Sequence, residues 1–289
     1  MDTSAIWIIL TASLVAINAS ILGSFLVMRK MSMFSDAISH AVLPGIVIAY
    51  FITGSRASFP MLVGAAASGL VATWLIETLT KRFKMQEDAS LGLSFTFLFA
   101  IGVILISYYG RNIDLDQECV LYGEISLVSL DRFILEGFDL GPVQFWQLGI
   151  TLIIIGSLVS IFYKRLIITT FDPSYATSLG INTLFWHYFL MGGVSLTTVV
   201  SFEAVGAILV VGFFAGLPAA AYLLCTSFKQ MIIVACGLGI LASVLGYLLA
   251  FWFNGSIAGA ICVVVGLEFF VALGINKLKK SHFAVSKLT

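Results

Sequence analysis

The sequence predicts an all-α integral membrane protein with eight or nine transmembrane helices. Of its 289 residues, 60% are hydrophobic and only 10% are charged, whereas a soluble domain carries about 25% charged residues. Its mean hydropathy is +1.07, and apolar runs of roughly twenty residues, the length that crosses a hydrocarbon core as a helix, recur along the chain. Because unpaired backbone groups are costly in lipid, we expect each run to be helical. The whole chain, 1–289, is predicted to form a single transmembrane domain.

Hydropathy places the predicted spans in order along the chain. They are 6–28, 37–53, 60–79, 89–109, 143–162, 183–200, 203–224, 231–251 and 257–275. The run 37–53 is short for a span, and only two residues separate 183–200 from 203–224. The number of spans is therefore left at eight or nine.

The distribution of Lys and Arg predicts the N-terminus outside and the C-terminus inside. With nine alternating spans, the inner segments hold twelve basic residues and the outer segments three, and basic residues favour the cytoplasmic side. The inner residues are Arg29, Lys30, Lys81, Arg82, Lys84, Lys164, Arg165, Lys229, Lys277, Lys279, Lys280 and Lys287, and the outer residues are Arg56, Arg111 and Arg132. Because no basic region precedes the first span, we expect an outside-to-inside helix rather than a cleaved signal peptide.

The predicted extracytoplasmic segment 110–142 is long and acidic. It holds seven acidic residues and two arginines, and its part from Leu121 to Leu130 is apolar enough for a short helix against the membrane. The segment is either a solvated connector or a docking surface whose negative potential attracts cations.

Catalytic motifs are absent from the sequence. It contains no G-x-x-x-x-G-K-[ST] phosphate loop, no H-E-x-x-H and no G-x-S-x-G. The four cysteines, Cys119, Cys225, Cys236 and Cys262, are scattered without a C-x-x-C, so neither a disulfide framework nor a thiolate metal site is predicted. We therefore expect a chain that is not itself an enzyme.

Several ionisable residues lie in or beside the predicted spans. Glu77 precedes Lys81 by four residues, and we expect a structural pair near the inner face. Glu268 is either a buried hydrogen-bonded group, the favoured interpretation, or part of a pathway. Glu203 lies at an outer junction where water can reach it. For His187, near the inner start of a span, a hydrogen-bonded structural role is favoured over ligation.

Asp36 and His40 stand out among these residues. They lie four residues apart in the stretch MSMFSDAISHAVLPG, so on a helix they share one face and can contact one ion. Charged groups within a membrane are costly and usually functional. Pro44 has no N–H to donate to the carbonyl of His40, which leaves that oxygen free for water, an ion or a neighbouring helix. The alternative is a helix N-cap at Ser35 or Asp36 with a packed histidine.

The ligand types narrow the choice of ion. Carboxylate and imidazole suit manganese, iron(II) and zinc, whereas the lack of a thiolate or thioether cluster argues against copper(I). One chain supplies two side-chain ligands, and two copies facing each other across a symmetry axis would supply four. Sparse ligation suits a transport site, which must release its ion.

The stretch GSFLVMRKMSMFSDAISHAVLPGIVIAY resembles the signature of ABC-type manganese, zinc and iron permeases, the membrane subunits of binding-protein-dependent metal importers. Later stretches resemble the outer loop, the cytoplasmic coupling segment and a late helix of that family; they are IDLDQECVLYGEI, IITTFDPSYATSLGIN and VVSFEAVGAILVVGFFAGLPAAAYLL. The resemblance runs from about residue 12 to residue 275. One departure is FAGLPAAAYL, where members often read closer to T-P-A-A-T-A, which affects helix packing more than ion chemistry.

The resemblance implies the architecture of type II ABC importer permeases, multi-pass proteins of the prokaryotic cytoplasmic membrane. Its implied partners are a cytoplasmic ABC ATPase dimer, which hydrolyses the ATP, an extracytoplasmic metal-binding protein and a second permease subunit, identical or homologous; no nucleic acid is involved. No permanently bound cofactor is implied, only the transported manganese, zinc or iron. The family's pore ligands map onto Asp36 and His40.

The resemblance also implies that the cytoplasmic segment 164–182 couples the permease to the ATPase, with Asp172, Ala176 and Gly180 as its candidate residues. The residues themselves predict a short helix there, because Asp172 and the following proline favour a helix start. Gly180 favours a helix stop.

The predicted function is therefore that of a permease subunit in an ATP-driven importer of a divalent transition metal. Manganese is favoured, and zinc and iron remain open. The alternative is a metal channel or proton-coupled carrier that works without ATP. A membrane enzyme is disfavoured by the missing catalytic motifs.

Overall fold

The computed structural model describes residues 3–54, 58–109, 125–129, 132–135 and 138–285, most of them helical. The α-helices are α1 Thr3–Met28, α2 Phe34–Ala41, α3 Leu43–Thr53, α4 Ser58–Glu77, α5 Glu87–Tyr109, α6 Val143–Phe171, α7 Pro173–Ser178, α8 Thr183–Val205, α9 Ala207–Val211, α10 Leu217–Leu224, α11 Phe228–Phe253 and α12 Ile257–Val285. Two π-helical turns, Thr78–Arg82 and Gly212–Gly216, and a 3₁₀ turn, Ile125–Leu127, interrupt or join them. Strands β1 Arg132–Leu135 and β2 Phe138–Pro142 form an antiparallel hairpin.

Nine helices in the described ranges are long and apolar enough to cross a membrane. They are Thr3–Met28, Phe34–Thr53, Pro60–Arg82, Glu87–Tyr108, Val143–Phe171, Thr183–Val205, Ala207–Leu224, Phe228–Phe253 and Ile257–Lys279. Of the predicted eight or nine spans, nine is thus confirmed. The chain is a multi-pass membrane protein. The membrane orientation stays a prediction.

Two helices continue furthest past the ends of their predicted spans. Helix α6 continues beyond residue 162 to Phe171, and α12 continues beyond residue 275 to Val285. Hydropathy marks where a helix leaves the hydrocarbon, whereas backbone hydrogen bonding continues into water.

The division between the sixth and seventh spans falls at Gly206, a few residues later than predicted. Gly206 ends α8 with φ 80° and donates its N–H to the carbonyl of Phe202 at 3.0 Å. A residue with a side chain rarely adopts this conformation, so glycine fixes the break.

The acidic segment 110–142 differs from its prediction. Within the expected short helix, Leu121 to Leu130, the structure describes only residues 125–129, which contain a single 3₁₀ turn. The hairpin of β1 and β2, in which Leu135 pairs with Phe138, was not predicted. Residues 110–124 lie outside the described part of the chain.

The chain divides into two compact units. Unit 1 comprises residues 1–32, 124–152 and 208–289, and unit 2 comprises residues 33–123 and 153–207. A single transmembrane domain over the whole chain stays a prediction.

In unit 1, α1 packs against α11, and α11 packs against α12. The rings of Phe25 and Phe228 meet edge to face, with centroids 4.8 Å apart. Asn18, which is fully buried, donates from Nδ2 to the carbonyl of Leu148 at 3.2 Å. The unit is therefore joined by aromatic packing and by a polar contact inside the bundle.

In unit 2, α4 lies against α2, α3, α5 and α8. Gly45 on α3 and Gly64 on α4 approach so closely that a Cβ on either would overlap the carbonyl of the other. Farther along α4, Ser195 of α8 donates from Oγ to the carbonyl of Ala66 at 3.2 Å. Small residues thus allow the close backbone contacts that position α2, the helix with the predicted metal ligands.

Candidate metal pathway and coupling segment

Helix α2 begins one residue before Ser35. Its N-cap is Met33, and no side chain caps it. The alternative prediction, an N-cap at Ser35 or Asp36, is therefore wrong: Asp36 lies within the first turn. Its carboxylate is available for other contacts.

Pro44 breaks the helix immediately after the predicted ligands. Helix α2 ends at Ala41, and Gly45 donates its N–H to the carbonyl of Val42 at 3.0 Å instead of bonding one turn back. The freed carbonyl of Ala41 accepts a hydrogen bond of 2.6 Å from the buried Ser68 hydroxyl of α4. A carbonyl is thus open to a neighbouring helix, but it is that of Ala41 and not the predicted carbonyl of His40.

Asp36 and His40 face each other on α2. The distance from Asp36 Oδ1 to His40 Nε2 is 3.6 Å, and the side chains are 40% and 39% exposed. Two atoms that each lie about 2.1 Å from one ion are at most about 4.2 Å apart, so this spacing lets a single ion contact both. The His40 ring is held by Phe95 and Phe99 of α5, with ring centroids 5.6 and 6.3 Å away.

The described residues contain no group of three or more His, Cys, Asp and Glu side chains that could hold a metal ion. Asp36 and His40 are therefore the two candidate side-chain ligands that the described part of this chain brings together. Two ligands suit a weakly held ion that passes through better than a resident structural ion, which usually has four.

Glu77 and His187 form a second carboxylate–imidazole pair, which is buried. Glu77 Oε1 lies 2.9 Å from His187 Nε2 and 2.6 Å from Lys81 Nζ. The structural pair of Glu77 with Lys81 is thus confirmed, and so is a structural partner for His187. Tyr188 also hydrogen-bonds this carboxylate. Tyr188 was not predicted from the sequence, in which only its place next to His187 signals it.

Glu268 and Glu203 differ in their surroundings. Both carboxylate oxygens of Glu268 are buried and have no hydrogen-bond partner among the residues that the structure describes, so the favoured hydrogen-bonded role is wrong there. Glu268 lines an apolar groove of about 850 Å³ between α11 and α12, beside Leu245 and Trp252. Glu203 is exposed near the end of α8, as its prediction required.

The segment after α6 has the predicted local structure. Asp172 caps α7, since its Oδ1 accepts from the N–H of Tyr175 at 2.8 Å, and Pro173 is the first helical residue. Gly180 has φ 75°, the left-handed region that ends helices. The short helix is therefore confirmed, and its coupling role stays a prediction.

The side chains of this segment point in different directions. Ala176 is fully buried and so supports the segment from within unit 2. Phe171, Tyr175 and Leu179 are more than half exposed. Exposed large apolar side chains of this kind form a surface that a protein partner can cover.

The described ranges contain nine helices that are apolar and long enough to cross a membrane, and the candidate pair Asp36 and His40 lies inside one of them. The chain belongs to the ABC 3 transport family, whose model matches residues 1–276. The predicted family of ABC-type metal permeases is thereby confirmed.

The chain is similar along most of its length to curated transport proteins. It is 46% identical over 261 residues to the manganese transport system membrane protein MntD of Bacillus subtilis (strain 168), covering 90% of this chain and 88% of that protein. It is 41% identical over 262 residues to the zinc transport system membrane protein TroD of Treponema pallidum (strain Nichols), covering 91% of this chain and 71% of that protein.

A solved structure has the same fold. One chain of PsaBC from Streptococcus pneumoniae, in complex with Fab, matches with a TM-score of 0.76 at 30% identity, covering 94% of this chain and 91% of that chain. The predicted ABC permease architecture is thus confirmed.

Proposed function

We propose that this chain is the permease subunit of an ATP-driven importer that moves a divalent transition metal across the prokaryotic cytoplasmic membrane, with manganese as the favoured cargo. The observation that carries the proposal is the half-exposed Asp36–His40 pair inside a span, with Oδ1 and Nε2 3.6 Å apart. Carboxylate and imidazole suit manganese, zinc and iron. Manganese is favoured because MntD, at 46% identity, bears that metal in its name.

In this proposal the ion passes between two permease subunits, identical or homologous. Each contributes its Asp36–His40 pair, so the ion meets four side-chain ligands at the two-fold axis. An extracytoplasmic metal-binding protein delivers the ion, and a cytoplasmic ABC ATPase dimer supplies the energy, because the sequence itself has no phosphate loop.

The segment around α7 is the proposed contact with the ATPase. Its exposed apolar side chains, Phe171, Tyr175 and Leu179, would fill a groove on the partner, while Asp172 and Gly180 fix its two ends. A Cβ on Gly180 would meet no atom of this chain within 4 Å, so within the permease a substitution there acts through backbone conformation.

A pair of substitutions tests this segment. Gly180→Val forces a β-branched residue into φ 75° and should strongly lower metal uptake per assembled complex, whereas Gly180→Asn, which tolerates this region, should keep most of it. Normal uptake in the valine variant, with the ATPase still co-purifying, would exclude the segment from coupling.

The metal and the energy source are tested together. Cells that lack the gene should lose manganese, measured against iron and zinc by elemental analysis. Proteoliposomes with permease, ATPase and metal-binding protein should accumulate manganese only when ATP is hydrolysed. Accumulation without ATP would support the second candidate, a channel or a proton-coupled carrier.

The proposed orientation has the N-terminus outside and the C-terminus inside. Reporter fusions after Arg56 and Gly137 should report the outer side, and a fusion after Lys280 the inner side. An inner signal at Gly137 would overturn the orientation and leave the cargo untouched.

A further inference from the structure

The contact between Glu77 and His187 joins the last residue of α4 to α8 within unit 2. The Glu77 and His187 side chains are only 9% and 15% exposed, and their nearest oxygen and nitrogen atoms are 2.9 Å apart. Lys81 also contacts Glu77, but it lies four residues further along the same stretch of chain and is 65% exposed. His187 and its neighbour Tyr188 therefore supply the contacts that connect this carboxylate to another helix.

His187 lies close in sequence to the proposed ATPase contact. Between α7 and α8 there are only residues 179–182, and hydrogen bonds hold them: Leu179 donates to the carbonyl of Tyr175 at 3.1 Å, and Ile181 donates to the carbonyl of Ala176 at 3.0 Å. Asn182 then caps α8 by accepting from the N–H of Phe185 at 3.1 Å. A displacement of α7 is thus passed directly to the first turns of α8, where His187 lies.

Glu77 connects on its other side to the metal pair. It is the last residue of α4, and nine residues earlier, about 14 Å along the helix axis, Ser68 hydrogen-bonds the carbonyl of Ala41 at 2.6 Å. Ala41 follows His40 directly. A continuous route of contacting helices therefore runs from α7 through α8 and α4 to α2.

A second contact joins α8 to α4, from Ser195 to the carbonyl of Ala66. It does not replace the contact between Glu77 and His187. It lies eight residues, about 12 Å, further along α8 than His187. It is a hydrogen bond between neutral groups at 3.2 Å, whereas Glu77 and His187 are both ionisable, with their nearest atoms 2.9 Å apart. The end of α4 nearest the coupling segment is held to α8 by Glu77 and His187.

We propose that Glu77 and His187 are positioning residues that transmit movement of the ATPase-coupling segment to the helix bearing Asp36 and His40. This inference rests on the proposed function. Without the contact, α8 moves while the near end of α4 stays behind. ATP is then hydrolysed with less movement of metal.

The test is the number of ATP molecules hydrolysed per manganese ion imported. It uses the full complex of permease, ATPase and metal-binding protein in proteoliposomes, normalised to assembled complex. Glu77→Gln and His187→Gln keep similar size and some hydrogen-bonding capacity, and each should raise the ratio about fivefold or more. Lys81→Met is the matched control, because it removes a partner of Glu77 on the same stretch of chain; its ratio should equal that of the wild type.

An exchanged variant distinguishes transmission from mere stability. Glu77→His combined with His187→Glu places the same two groups in contact again and should bring the ratio back towards the wild-type value. A wild-type ratio in both single variants, whatever their yield, overturns the inference, as does an equal rise in Lys81→Met. If the wild-type complex imports no manganese on ATP addition, the proposed function itself fails; if it does and the variants match it, only this inference fails.

Discussion

Unit 2 contains two carboxylate–imidazole pairs with the same chemistry and opposite surroundings. Asp36 and His40 lie on one helix, 3.6 Å apart, with side chains 40% and 39% exposed. Glu77 and His187 lie on two different helices, and the distance from Glu77 Oε1 to His187 Nε2 is 2.9 Å. Their side chains are 9% and 15% exposed. The first pair is open to a ligand, and the second is closed by its own partners.

The difference shows what separates a ligand pair from a structural pair. A metal ion needs lone pairs that are free and an approach that is open. In the buried pair, Lys81 already occupies the Glu77 carboxylate at 2.6 Å, so binding an ion there would first break a charge-assisted contact. Exposure and unused ligand capacity, rather than residue type, are therefore the grounds for proposing Asp36 and His40 as the ligands of the ion.

The largest expected effect is on uptake when the open pair is broken. Asp36→Ala or His40→Ala should lower manganese uptake by more than about tenfold, because losing a direct ligand costs more than losing an outer partner, which already costs about 10–100-fold in affinity or activity. Uptake is measured per assembled complex in proteoliposomes. Asp36→Asn keeps the size but removes the charge, so its defect measures how much charge the ion needs.

Wild-type uptake per complex in both alanine variants would retire the pore-ligand assignment. A packed, structural histidine predicts the reverse pattern, in which His40→Ala lowers the amount of protein in the membrane while the surviving complexes transport normally.

The next largest effect is on stability, and here we expect the buried pair to matter more than the exposed pair. Glu77→Ala should lower the free energy of unfolding by about 3 kcal/mol, the low end for breaking a buried ion pair, since Lys81 is exposed. Asp36→Ala should change it by less than about 0.5 kcal/mol, as for an exposed site. Denaturant unfolding of the purified complex, followed by tryptophan fluorescence, measures both. Equal losses in the two variants would contradict the distinction.

The two pairs also differ in how far the sequence predicts them. Contacts within one stretch of chain follow from spacing: Glu77 with Lys81, Asp36 facing His40, and the Asp172 cap each depend on a few neighbouring residues. The partner of Glu77 on α8 lies 110 residues away, and no periodicity within one helix indicates which helices become neighbours.

The fold shows the same limit. Composition and run length predict the number of spans, because the bilayer sets both. The extension of α6 to Phe171, the hairpin of β1 and β2, and the bond from Ser68 to Ala41 were missed. Each depends on water-exposed backbone or on tertiary packing, which hydropathy does not measure. Glu268 belongs here too: its position in a span is visible in the sequence, whereas its lack of a hydrogen-bond partner in the described structure is not.

A smaller effect is expected on the stabilisation of the folded complex by manganese, which should depend on the exposed pair and not on the buried pair. Manganese at ten times its dissociation constant should raise the free energy of unfolding of the wild-type complex by about 1.4 kcal/mol, since it binds only the folded state. His40→Ala should abolish the rise, and His187→Gln should retain it. A thermal-shift titration, with magnesium as the control ion, gives the result. Loss of the rise in His187→Gln alone would assign the ion to the buried pair.

The smallest effect on metal uptake is expected from substitutions of Asp172, at the start of α7. Asp172→Ala removes the cap of α7, whose Oδ1 accepts from Tyr175 at 2.8 Å, and a lost N-cap costs about 1 kcal/mol. Because α7 has only six residues, this cost frays much of the helix, so uptake per complex should fall modestly, by less than in either ligand variant. Asp172→Ser keeps a capping oxygen and should restore wild-type uptake. Equal uptake in the alanine and serine variants, both below the wild type, would show that the Asp172 charge matters rather than its cap, and would move the contact with the ATPase onto the carboxylate itself.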